Sequence, residues 1–595
     1  MPSRAMDPVT ASPKAPPARR EACESFVDIL RYRAAHEGDR PALEFLEDGE
    51  GKGVLWRYRD LAAHAARIAA ALSARGLAGG RAVLLYEPGA EYVAAFFGAL
   101  QAGVVAVTSY PPSGSRATNR VFAIVEDCRP EVILTTAAIR DTELRLRAEP
   151  WGATGVDWLA TDELEMPDDP DAVPVVGDQS LAMLQYTSGS TGQPKGVMVS
   201  HANLMSNGMA AREWLGVDPE RIGVSWLPPY HDMGLMGCVL QPIFDGFPVT
   251  LMAPMHFLQR PSRWLRAISD RRATATGAPN FAFDLCVDQV EEDEMEGLDL
   301  SSLEVAFCGA EPVRKQTMDR FAERFAAHGF RYAALNPCYG MAEATLIVSG
   351  KARGTAPRHR FIDSAALESN RVVDVDPGAP GARAVMSCGA VAAGVDVRIV
   401  DPDDRLSLGA DEVGEIWVAG GHVALGYWQK EEETRETFDG RIQGDRRSWM
   451  RTGDLGFLAD GELYVTGRIK DVIIIAGRNH YPQDIELSAQ SAHEAIRPNG
   501  VAAFSVEPAE GEGSEDRLVI VAEVRRAKPG TDSDPARIRE AIVGAVTAAH
   551  GIAPEAVHLG PVGTVPLTTS GKVQRRACRQ GYLQGNLRRL AADKG

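Results

Sequence analysis

The stretch Tyr186-Thr-Ser-Gly-Ser-Thr-Gly-Gln-Pro-Lys-Gly-Val197 directly follows the apolar run Leu181 to Leu184. Its glycines let backbone N–H groups turn toward an anion, its hydroxyls add donors, and its lysine adds positive charge. The stretch therefore predicts a phosphate-binding loop, with a flexible glycine- and serine-rich turn as the alternative. Its spacing differs from that of the P-loop. The predicted phosphate-binding residues are Thr187, Ser188, Gly189, Ser190, Thr191 and Lys195.

Short apolar runs bounded by glycine or proline alternate with helical patterns on both sides of this loop. On the N-terminal side, Ala82 to Tyr86 and Val104 to Thr108 enclose the helical stretch Tyr92 to Leu100. This alternation is typical of βαβ units. The rhythm continues on the C-terminal side in the runs Ile222 to Leu227, Pro248 to Met252, Ala273 to Thr276 and Val305 to Phe307. We predict an α/β fold whose large domain has mostly parallel sheets.

The pattern changes toward the C-terminus. Close-set β segments with glycine-rich turns between Val397 and Tyr464 predict a small antiparallel unit. A charged turn, Gly467 to Asp471, then precedes a smaller α/β module with a strand at Leu518 to Val524 and a helix at Pro535 to Ala549. The predicted divisions are a disordered tail at residues 1–20, a large domain at 21–468 and a small mobile domain at 469–595.

The composition of this 595-residue chain restricts its possible functions. A formal net charge of −18 argues against a broad nucleic-acid-binding face, which would need clustered lysine and arginine. Arg575, Arg576 and Arg579 form a local basic cluster that a partner could recognise, with a solvated face as the alternative. Eight scattered cysteines without a Cys-x-x-Cys pair argue against disulfides and zinc. No segment has the apolar length of a signal peptide or a membrane span, so we expect a cytoplasmic protein.

The stretch Thr187 to Gly196 resembles the phosphate loop of the adenylate-forming superfamily, which includes acyl-CoA synthetases, adenylation domains of peptide synthetases and luciferases. The resemblance covers the chain from about Glu24 to about Gln580 and implies an enzyme that uses ATP and Mg²⁺. Further segments resemble motifs of this superfamily, in its order: Cys308 to Pro312, Asn336 to Thr345, Arg451 to Asp454, Gly467 to Asp471 and Pro566 to Arg576.

The resemblance implies roles for residues around the nucleotide. Tyr339 would stack on adenine, Gly340 would allow close approach of the backbone, and Glu343 would hold Mg²⁺ against phosphate oxygens. Asp454 would accept hydrogen bonds from both ribose hydroxyls, and Arg468 would also face the ribose. Each segment alone could be an ordinary turn or the start of a helix. The other expected nucleotide-binding residues are Gly309, Ala310, Glu311, Cys338 and Met341.

Lys572 is the expected catalytic lysine, because the matching residue of the family swings into the site from the small domain. When a carboxylate attacks the α-phosphorus of ATP, negative charge develops at phosphorus and on the departing pyrophosphate, and nearby cations stabilise it. Lys470 stands at the position that the family uses as its hinge. Taken alone, Lys572 could be a solvated lysine and Lys470 a part of a charged linker.

Three features resemble the fatty acyl-AMP ligases within this superfamily, and the first is the segment Gly477 to Glu486. In the segment Ser225 to Leu235, His231 would lie beside the activated carboxylate and gate the acyl pocket. Trp226 and Gly234 would contact the substrate. These residues could equally belong to the core. A segment within about residues 350–386 exceeds the usual connection length and resembles the insertion with which these ligases restrain the domain swing and disfavour free coenzyme A. A disordered surface loop is the alternative.

The implied reaction converts a fatty acid to an acyl-adenylate with release of pyrophosphate. The acyl group would then pass to the phosphopantetheine thiol of an acyl carrier protein. The sequence has no Asp-Ser-Leu phosphopantetheine site, so a polyketide or peptide synthase would supply the carrier in trans. A fatty acyl-CoA synthetase is the alternative enzyme. A nucleotide- or lipid-binding paralogue without turnover is the alternative outside enzymes, and the joint presence of Lys195, Glu343, Asp454 and Lys572 argues against it.

Overall fold

The computed structural model of the protein describes residues 16–112, 114–165, 180–188, 194–218, 220–475, 478–507, 516–525, 534–568 and 571–590. In the first part of the chain, strands and helices alternate: α1 (Phe26–Glu37), β1 (Pro41–Leu46), β2 (Val54–Arg57), α2 (Tyr58–Ala74), β3 (Arg81–Leu85), α3 (Ala90–Gln101), β4 (Val105–Thr108), α4 (Gly114–Cys128), β5 (Val132–Thr135), α5 (Ala137–Thr154) and β6 (Asp157–Ala160). The βαβ unit predicted between Ala82 and Thr108 is confirmed as β3, α3 and β4. All of α3 except Glu91 is buried, because the helix packs between a sheet and α2.

The middle of the chain continues this alternation. Its elements are β7 (Leu181–Ser188), β8 (Pro194–Ser200), α6 (His201–Leu215), β9 (Gly223–Ser225), a π-helix (Met233–Leu240), α7 (Gln241–Asp245), β10 (Val249–Met252), α8 (Pro254–Gln259), α9 (Ser262–Arg271), β11 (Ala275–Ala278), α10 (Asn280–Gln289), β12 (Val305–Cys308), α11 (Lys315–Phe325), β13 (Leu335–Gly340) and β14 (Ile347–Gly350). The strand predicted from Ala273 starts two residues later, because Arg272 ends α9 in the left-handed conformation, with φ +49°, and the Ala273 N–H still bonds to the Ile268 carbonyl.

The described strands of this region form two sheets. The first has the order β6-β5-β3-β4-β7-β8, in which only the last pair is antiparallel. The second contains the parallel series β13-β12-β11-β9-β10-β1, with β2 antiparallel at its edge. The prediction of an α/β fold with mostly parallel sheets in the large domain is therefore confirmed.

The predicted antiparallel unit continues the second sheet and is larger than expected. Its elements are β15 (His359–Asp363), α12 (Ser364–Leu367), β16 (Ala382–Val391), β17 (Val395–Val400), β18 (Gly414–Gly420), α13 (Glu431–Phe438), β19 (Met450–Ala459) and β20 (Glu462–Arg468). The change of direction occurs within β13, whose first half pairs parallel with β12 and whose second half pairs antiparallel with β14. The strand order from there is β14-β16-β20-β19-β18-β17. The Asn336 to Thr345 motif therefore begins at the junction of both sheet types.

The segment at residues 350–386 is more regular than the sequence indicates. Strand β15 pairs antiparallel with β16 from His359 opposite Met386 to Asp363 opposite Ala382. Ile362 and Leu367 are fully buried in an apolar cluster that also contains Phe457 and Tyr481. The segment therefore packs as part of the sheet and is not a surface loop.

The described strands of the C-terminal module form two small sheets. The elements of this module are β21 (Ile473–Ile475), β22 (Arg478–His480), α14 (Pro482–Ser491), β23 (Ile496–Val506), β24 (Arg517–Val524), α15 (Pro535–His550), β25 (Ala556–Pro561) and α16 (Arg575–Leu583). The strand and the helix predicted here are confirmed as β24 and α15. One sheet is the pair β21-β22, and the other is the three-stranded sheet β23-β24-β25, in which β24 lies between an antiparallel β23 and a parallel β25. Within the described ranges, no helix combines the length and the apolar composition that a bilayer span requires.

The N-terminal tail predicted at residues 1–20 lies mostly outside the described residues. At its end, Arg20 begins a 3₁₀ turn and its guanidinium lies 4.3 Å from the centre of the Phe244 ring. The end of this tail is therefore anchored on the large domain.

Candidate active site

A cavity of about 1460 Å³ is lined by residues of the large domain and of the C-terminal module. Most of the residues predicted from the motifs meet there. They are Thr187, Lys195, Ala310, Glu311, Cys338, Tyr339, Gly340, Met341, Glu343, Asp454, Arg468, Lys470 and Lys572. We call the region around Lys195, Glu343, Asp454 and Lys572 the polar end of the cavity.

The register of a hairpin sets the first part of the polar end. Strands β7 and β8 are antiparallel, and Thr187 lies opposite Lys195. The Lys195 ammonium lies 4.9 Å from the centre of the Tyr427 ring, within the range of a cation–π contact. The tip of the predicted phosphate loop, with Gly189, Ser190, Thr191 and the side chain of Ser188, lies outside the described residues.

Tyr427 is a residue of the polar end that the sequence analysis missed. Its hydroxyl donates a hydrogen bond of 2.9 Å to Oε1 of Glu343. The neighbouring Trp428 N–H donates to the carbonyl of Gly196, and the Ala424 N–H donates to the carbonyl of Glu343. The segment between β18 and α13 therefore joins the phosphate hairpin to the Glu343 motif. In the sequence, the glycine-rich run before Tyr427 predicts a turn. It does not predict that Tyr427 contacts Glu343, which is 84 positions away.

Glu343 lies in a one-turn 3₁₀ helix, Ala342–Ala344, that follows β13. The next residue, Thr345, is buried at φ +60°, an unusual conformation for a β-branched residue, and its hydroxyl donates a 2.6 Å hydrogen bond to the carbonyl of His422. Burial raises the pKa of the Glu343 carboxyl above its ordinary value. A buried carboxylate whose tyrosine partner also contacts Lys195 is suited to a site that receives a cation together with phosphate.

The donor set at Glu343 fits Mg²⁺ bound through a substrate. Among the described residues, no group of three or more His, Cys, Asp or Glu side chains could form a protein-only metal cage. Mg²⁺ usually binds one or two protein carboxylates and completes its shell with phosphate oxygens and water. A single carboxylate in a polar cavity beside a phosphate hairpin meets this requirement.

Asp454 connects two strands and the end of β13. It lies opposite Arg468 across the β19–β20 ladder and accepts a 2.6 Å hydrogen bond from the Arg468 Nε. The Tyr339 hydroxyl donates to its other oxygen at 2.7 Å. The Asp454 carboxylate raises the pKa of the Arg468 guanidinium. Tyr339, which the sequence predicts to stack on adenine, therefore also fixes the orientation of the acid predicted to hold the ribose.

Two glycines of the predicted nucleotide site have packing roles. A Cβ at Gly340 would lie 1.9 Å from the Leu346 carbonyl oxygen. The backbone that approaches Gly340 closely is therefore that of Leu346, whereas the sequence predicts a close approach that serves the nucleotide. A Cβ at Gly309 would lie 3.0 Å from Sγ of Cys338, and Gly309 does not line the cavity. The next residue, Ala310, lines it with φ +72°.

Lys572 is presented by a tight turn of the C-terminal module. The Thr568 N–H donates to the Lys572 carbonyl at 2.8 Å, and the Lys572 N–H donates back to the Thr568 hydroxyl at 3.0 Å. Gly571 has φ +82° and approaches the Phe281 ring so closely that a Cβ would lie 2.7 Å from it. Burial lowers the pKa of the Lys572 ammonium, while the charge of Asp232 opposes this shift. Thr569 and Ser570 of this motif lie outside the described residues.

His231 lies in the loop before the π-helix and does not itself line the cavity. Burial lowers its pKa to about 3, and the positive charges of Arg120 and Lys572 act in the same direction. The imidazole is therefore neutral near pH 7, which suits a residue that packs beside a carboxylate and does not pair with it as a cation. The next two residues, Asp232 and Met233, line the cavity wall.

The other part of the cavity is mainly apolar, and we call it the apolar end. Its wall is formed by one side of α6, by the π-helix, and by single residues of β12, β14 and the turn before β14. The residues are Ala211, Trp214, Leu215, Met233, Met236, Gly237, Phe307, Leu346 and Ile347. The Trp214 Nε1 donates to the Lys351 carbonyl at 2.9 Å, which fixes its ring in the wall. Such a pocket, continuous with a polar site, can hold an extended apolar chain.

Trp226 and Gly234 do not line the cavity, so their predicted contact with substrate is corrected. The Trp226 ring is buried and stacks on Phe257 at 4.1 Å, and it meets the cavity-lining Phe281 edge-on at 6.0 Å. A Cβ at Gly234 would lie 2.0 Å from the Pro228 carbonyl oxygen. Both residues therefore support the loop and the wall around His231 from behind.

Comparisons with known proteins agree with this arrangement. The profile of the family described as AMP-binding enzyme matches residues 30–428. The chain belongs to the AMP-binding enzyme family. A second profile, described as the AMP domain of Disco-interacting protein 2-like proteins, matches residues 470–592 of this AMP-binding enzyme. The predicted membership in the adenylate-forming superfamily is thus confirmed.

Relatives of this AMP-binding enzyme match it over nearly its whole length. The medium-chain-fatty-acid–acyl-carrier-protein ligase JamA of Moorena producens is 41% identical, over 95% of this chain and 96% of its own. The long-chain-fatty-acid–AMP ligase FadD32 of Mycolicibacterium smegmatis is 38% identical, over 95% of both chains. A solved fatty acyl-adenylate ligase of Legionella pneumophila, in complex with acyl adenylate and pyrophosphate, is 39% identical with a TM-score of 0.74, over 95% of this chain and 97% of its own.

The 350–386 segment of this AMP-binding enzyme contacts the C-terminal module. The Asn479 N–H donates to the Glu368 carbonyl at 3.1 Å, and the Glu368 carboxylate lies 3.6 Å from the Arg478 guanidinium. Arg383 forms an ion pair of 3.1 Å with Asp484. These contacts lie next to the turn Ile469–Asp471, which joins the last strand of the second sheet to the C-terminal module.

The basic cluster predicted near the C-terminus is largely engaged within the protein. Arg575 donates two hydrogen bonds of 2.7 Å to Glu486 and lies 3.1 Å from Asp471. Arg579 donates to the Ser505 carbonyl at 2.9 Å. Two of the three arginines of the cluster, Arg575 and Arg579, therefore have acceptors within the protein.

Proposed function

We propose that this AMP-binding enzyme is a fatty acyl-AMP ligase. It uses ATP to convert a fatty acid to an acyl-adenylate with release of pyrophosphate, and it then passes the acyl group to the phosphopantetheine thiol of an acyl carrier protein. The observation that carries this proposal is a single cavity that joins a phosphate-binding polar end to a deep apolar end. The full-length similarity to fatty-acid–AMP ligases supports it.

The first step forms a bond between a carboxylate oxygen of the fatty acid and the α-phosphorus of ATP. The bond from this phosphorus to the bridging oxygen breaks, and pyrophosphate leaves with the electron pair. Lys572 and Lys195 stabilise the added negative charge, and neutral His231 borders the carboxylate without pairing with it. Mg²⁺ bound through Glu343 would neutralise phosphate charge. Asp454, held by Tyr339 and Arg468, orients the ribose.

In the second step, the carrier thiol attacks the acyl carbonyl and AMP leaves. We propose that the domain boundary lies between residues 468 and 469 and that the C-terminal module rotates at Lys470 between the two steps. The contacts of Glu368 and Arg383 with the module support a further proposal, that the 350–386 insertion restrains this rotation and so disfavours free coenzyme A. The carrier would belong to a polyketide or peptide synthase.

A thioester assay tests the proposal. The purified protein is incubated with ATP, Mg²⁺ and a radiolabelled fatty acid, alone, with coenzyme A, or with a holo acyl carrier protein. We expect acyl-adenylate without an acceptor, acyl-carrier thioester with the carrier, and little acyl-CoA. Efficient acyl-CoA formation would instead identify a fatty acyl-CoA synthetase, and the absence of acid-dependent exchange between pyrophosphate and ATP would identify a binding protein without turnover.

A further inference from the structure

Arg120 is a cation of the cavity that the motifs do not contain. It lies on α4, whose residues Val121, Ile124 and Val125 are buried in the core of the first sheet. The adjacent side of the helix presents Arg120 to the cavity between two small residues, Ala117 and Ala123.

The guanidinium of Arg120 lacks a charged partner within the described part of the chain. Its Nε is buried without a hydrogen-bond acceptor, and among those residues no carboxylate lies within 4 Å of it. Its hydrogen bond from Nη2 to the Tyr186 carbonyl measures 3.5 Å and is at the limit of such contacts. Arg120 is half-buried at the cavity wall, and without an acidic neighbour in the described part of the chain its guanidinium is suited to bind an anionic ligand.

The position of Arg120 selects the kind of anion. Tyr186, whose carbonyl it contacts, directly precedes Thr187, the first residue of the phosphate hairpin that lines the cavity. Arg120, on the large domain, and Lys572, on the C-terminal module, both line the same cavity. Together with Lys195 they supply three positive charges, which suits a ligand with several negative charges.

We propose that Arg120 binds the β- and γ-phosphates of ATP and holds the pyrophosphate as it leaves. This inference rests on the proposed function and adds a residue to its site. When the bond between the α-phosphorus and the bridging oxygen breaks, the pyrophosphate gains the electron pair, and the planar guanidinium can donate two parallel N–H bonds to its oxygens. Lys572 and Lys195 are point charges and cannot replace this bidentate contact.

Binding of sodium pyrophosphate, measured by isothermal titration calorimetry, tests the inference without turnover. We expect Arg120→Gln to weaken binding at least about 10-fold, as for a lost charge-assisted hydrogen bond, and Arg120→Lys to restore part of it. Arg145→Gln, which removes the same charge from an exposed position of α5, serves as the matched control and should bind like the wild type. Melting temperatures check that each variant is folded.

Kinetics separate this inference from the proposed function. Arg120→Gln should raise the KM for ATP, and the KM for pyrophosphate in the reverse reaction, with little change in the KM for the fatty acid. Two results would overturn the inference and leave the proposed function intact. One is that Arg120→Gln binds pyrophosphate as strongly as the wild type. The other is that this variant binds pyrophosphate normally but transfers the acyl group from a supplied acyl-adenylate more slowly. Loss of pyrophosphate binding in this variant would support the inference even if the wild type formed no acyl-adenylate.

Discussion

The polar end and the apolar end of the cavity are built in different ways. At the polar end, strand registers and short hydrogen-bonded turns hold the charged groups: Lys195 lies opposite Thr187, Asp454 lies opposite Arg468, and Lys572 is held by its turn with Thr568. At the apolar end, helices, single strand residues and a turn supply one or a few side chains each, and Trp214 has a hydrogen bond that fixes it. Charges that act on phosphorus need fixed directions, whereas an acyl chain needs only volume and an apolar surface.

This difference predicts two kinds of mutational effect. A substitution at the polar end should lower the rate of adenylation for every fatty acid, because it removes charge that acts in the transition state. A substitution at the apolar end should change which fatty acids are used, because it changes the volume available to the chain.

The largest expected effect comes from Lys572→Ala. Loss of one preorganised charge at the reacting phosphorus typically costs about 10²- to 10³-fold in rate, so adenylation should fall by this amount for short and long acids alike. The affinity for ATP should change by only a few-fold, because other residues hold the nucleotide. Single-turnover formation of acyl-adenylate and equilibrium binding of ATP measure the two effects.

Lys572→Arg is the matched control because it keeps the charge and changes the geometry. We expect a rate between those of Lys572→Ala and the wild type. Equal rates for Lys572→Ala and the wild type would show that the polar end acts without this lysine and would contradict its assignment as the catalytic cation.

At the apolar end, Gly237→Met should change the preferred chain length. A Cβ at this position would have ordinary contacts, 3.5 Å from Leu346 Cδ2 and 3.7 Å from Phe307 Cζ, so a longer side chain must extend into the cavity. We expect kcat/KM for palmitic acid to fall about 10-fold or more, and that for hexanoic acid to change much less. Gly237→Ala, which fits the observed space, should behave like the wild type for both acids. A uniform loss for both acids with Gly237→Met would contradict the assignment of this wall to the acyl chain.

A smaller effect is expected for Tyr427→Phe, which separates two contacts of one residue. The phenyl ring keeps the contact with Lys195, while the hydrogen bond to Glu343 is lost. A hydrogen bond to a charged group contributes about 1.5 kcal/mol at the lower end of its range, so adenylation should fall about 10-fold and should need more Mg²⁺. Titration of the rate with Mg²⁺ measures this. An unchanged Mg²⁺ dependence would indicate that the Ala424 N–H alone positions the Glu343 motif.

How much of the protein the sequence predicts also differs between the two ends. The polar-end motifs are short and contiguous, so their resemblance to those of the adenylate-forming superfamily allowed Lys195, Glu343, Asp454 and Lys572 to be named in advance. Tyr427 could not, because its contact with Glu343 depends on how separate strands meet in the sheet.

The apolar end gave the poorer predictions because apolar side chains look alike in sequence. Trp226 and Gly234 belong to a recognisable motif, yet Trp226 packs on Phe257 in the core. Gly234 is needed because a side chain there would collide with the Pro228 carbonyl. Periodicity separates buried from exposed positions and does not separate a cavity wall from a core. The regular structure of residues 350–386 was not predicted for a related reason. Strand β15 pairs with β16 at the end of the same segment, and the proline- and glycine-rich turns between them gave no sign of a strand pair in the sequence.

The smallest expected effect concerns Glu368→Gln, because Lys572 reaches the polar end only while the C-terminal module stays in place. The substitution removes the charge that faces Arg478 at 3.6 Å and leaves the Asn479 N–H bond to the Glu368 carbonyl intact. A partly exposed ion pair contributes at most about 1 kcal/mol, so acyl-CoA formation should rise only about two- to five-fold while adenylation stays unchanged. Glu292→Gln, which disrupts a surface pair with Arg324 away from the module, is the matched control. Arg383→Gln breaks the pair with Asp484. If this variant formed more acyl-CoA while Glu368→Gln and Glu292→Gln formed it at the wild-type rate, the restraint would reside in the Arg383 contact and not in Glu368.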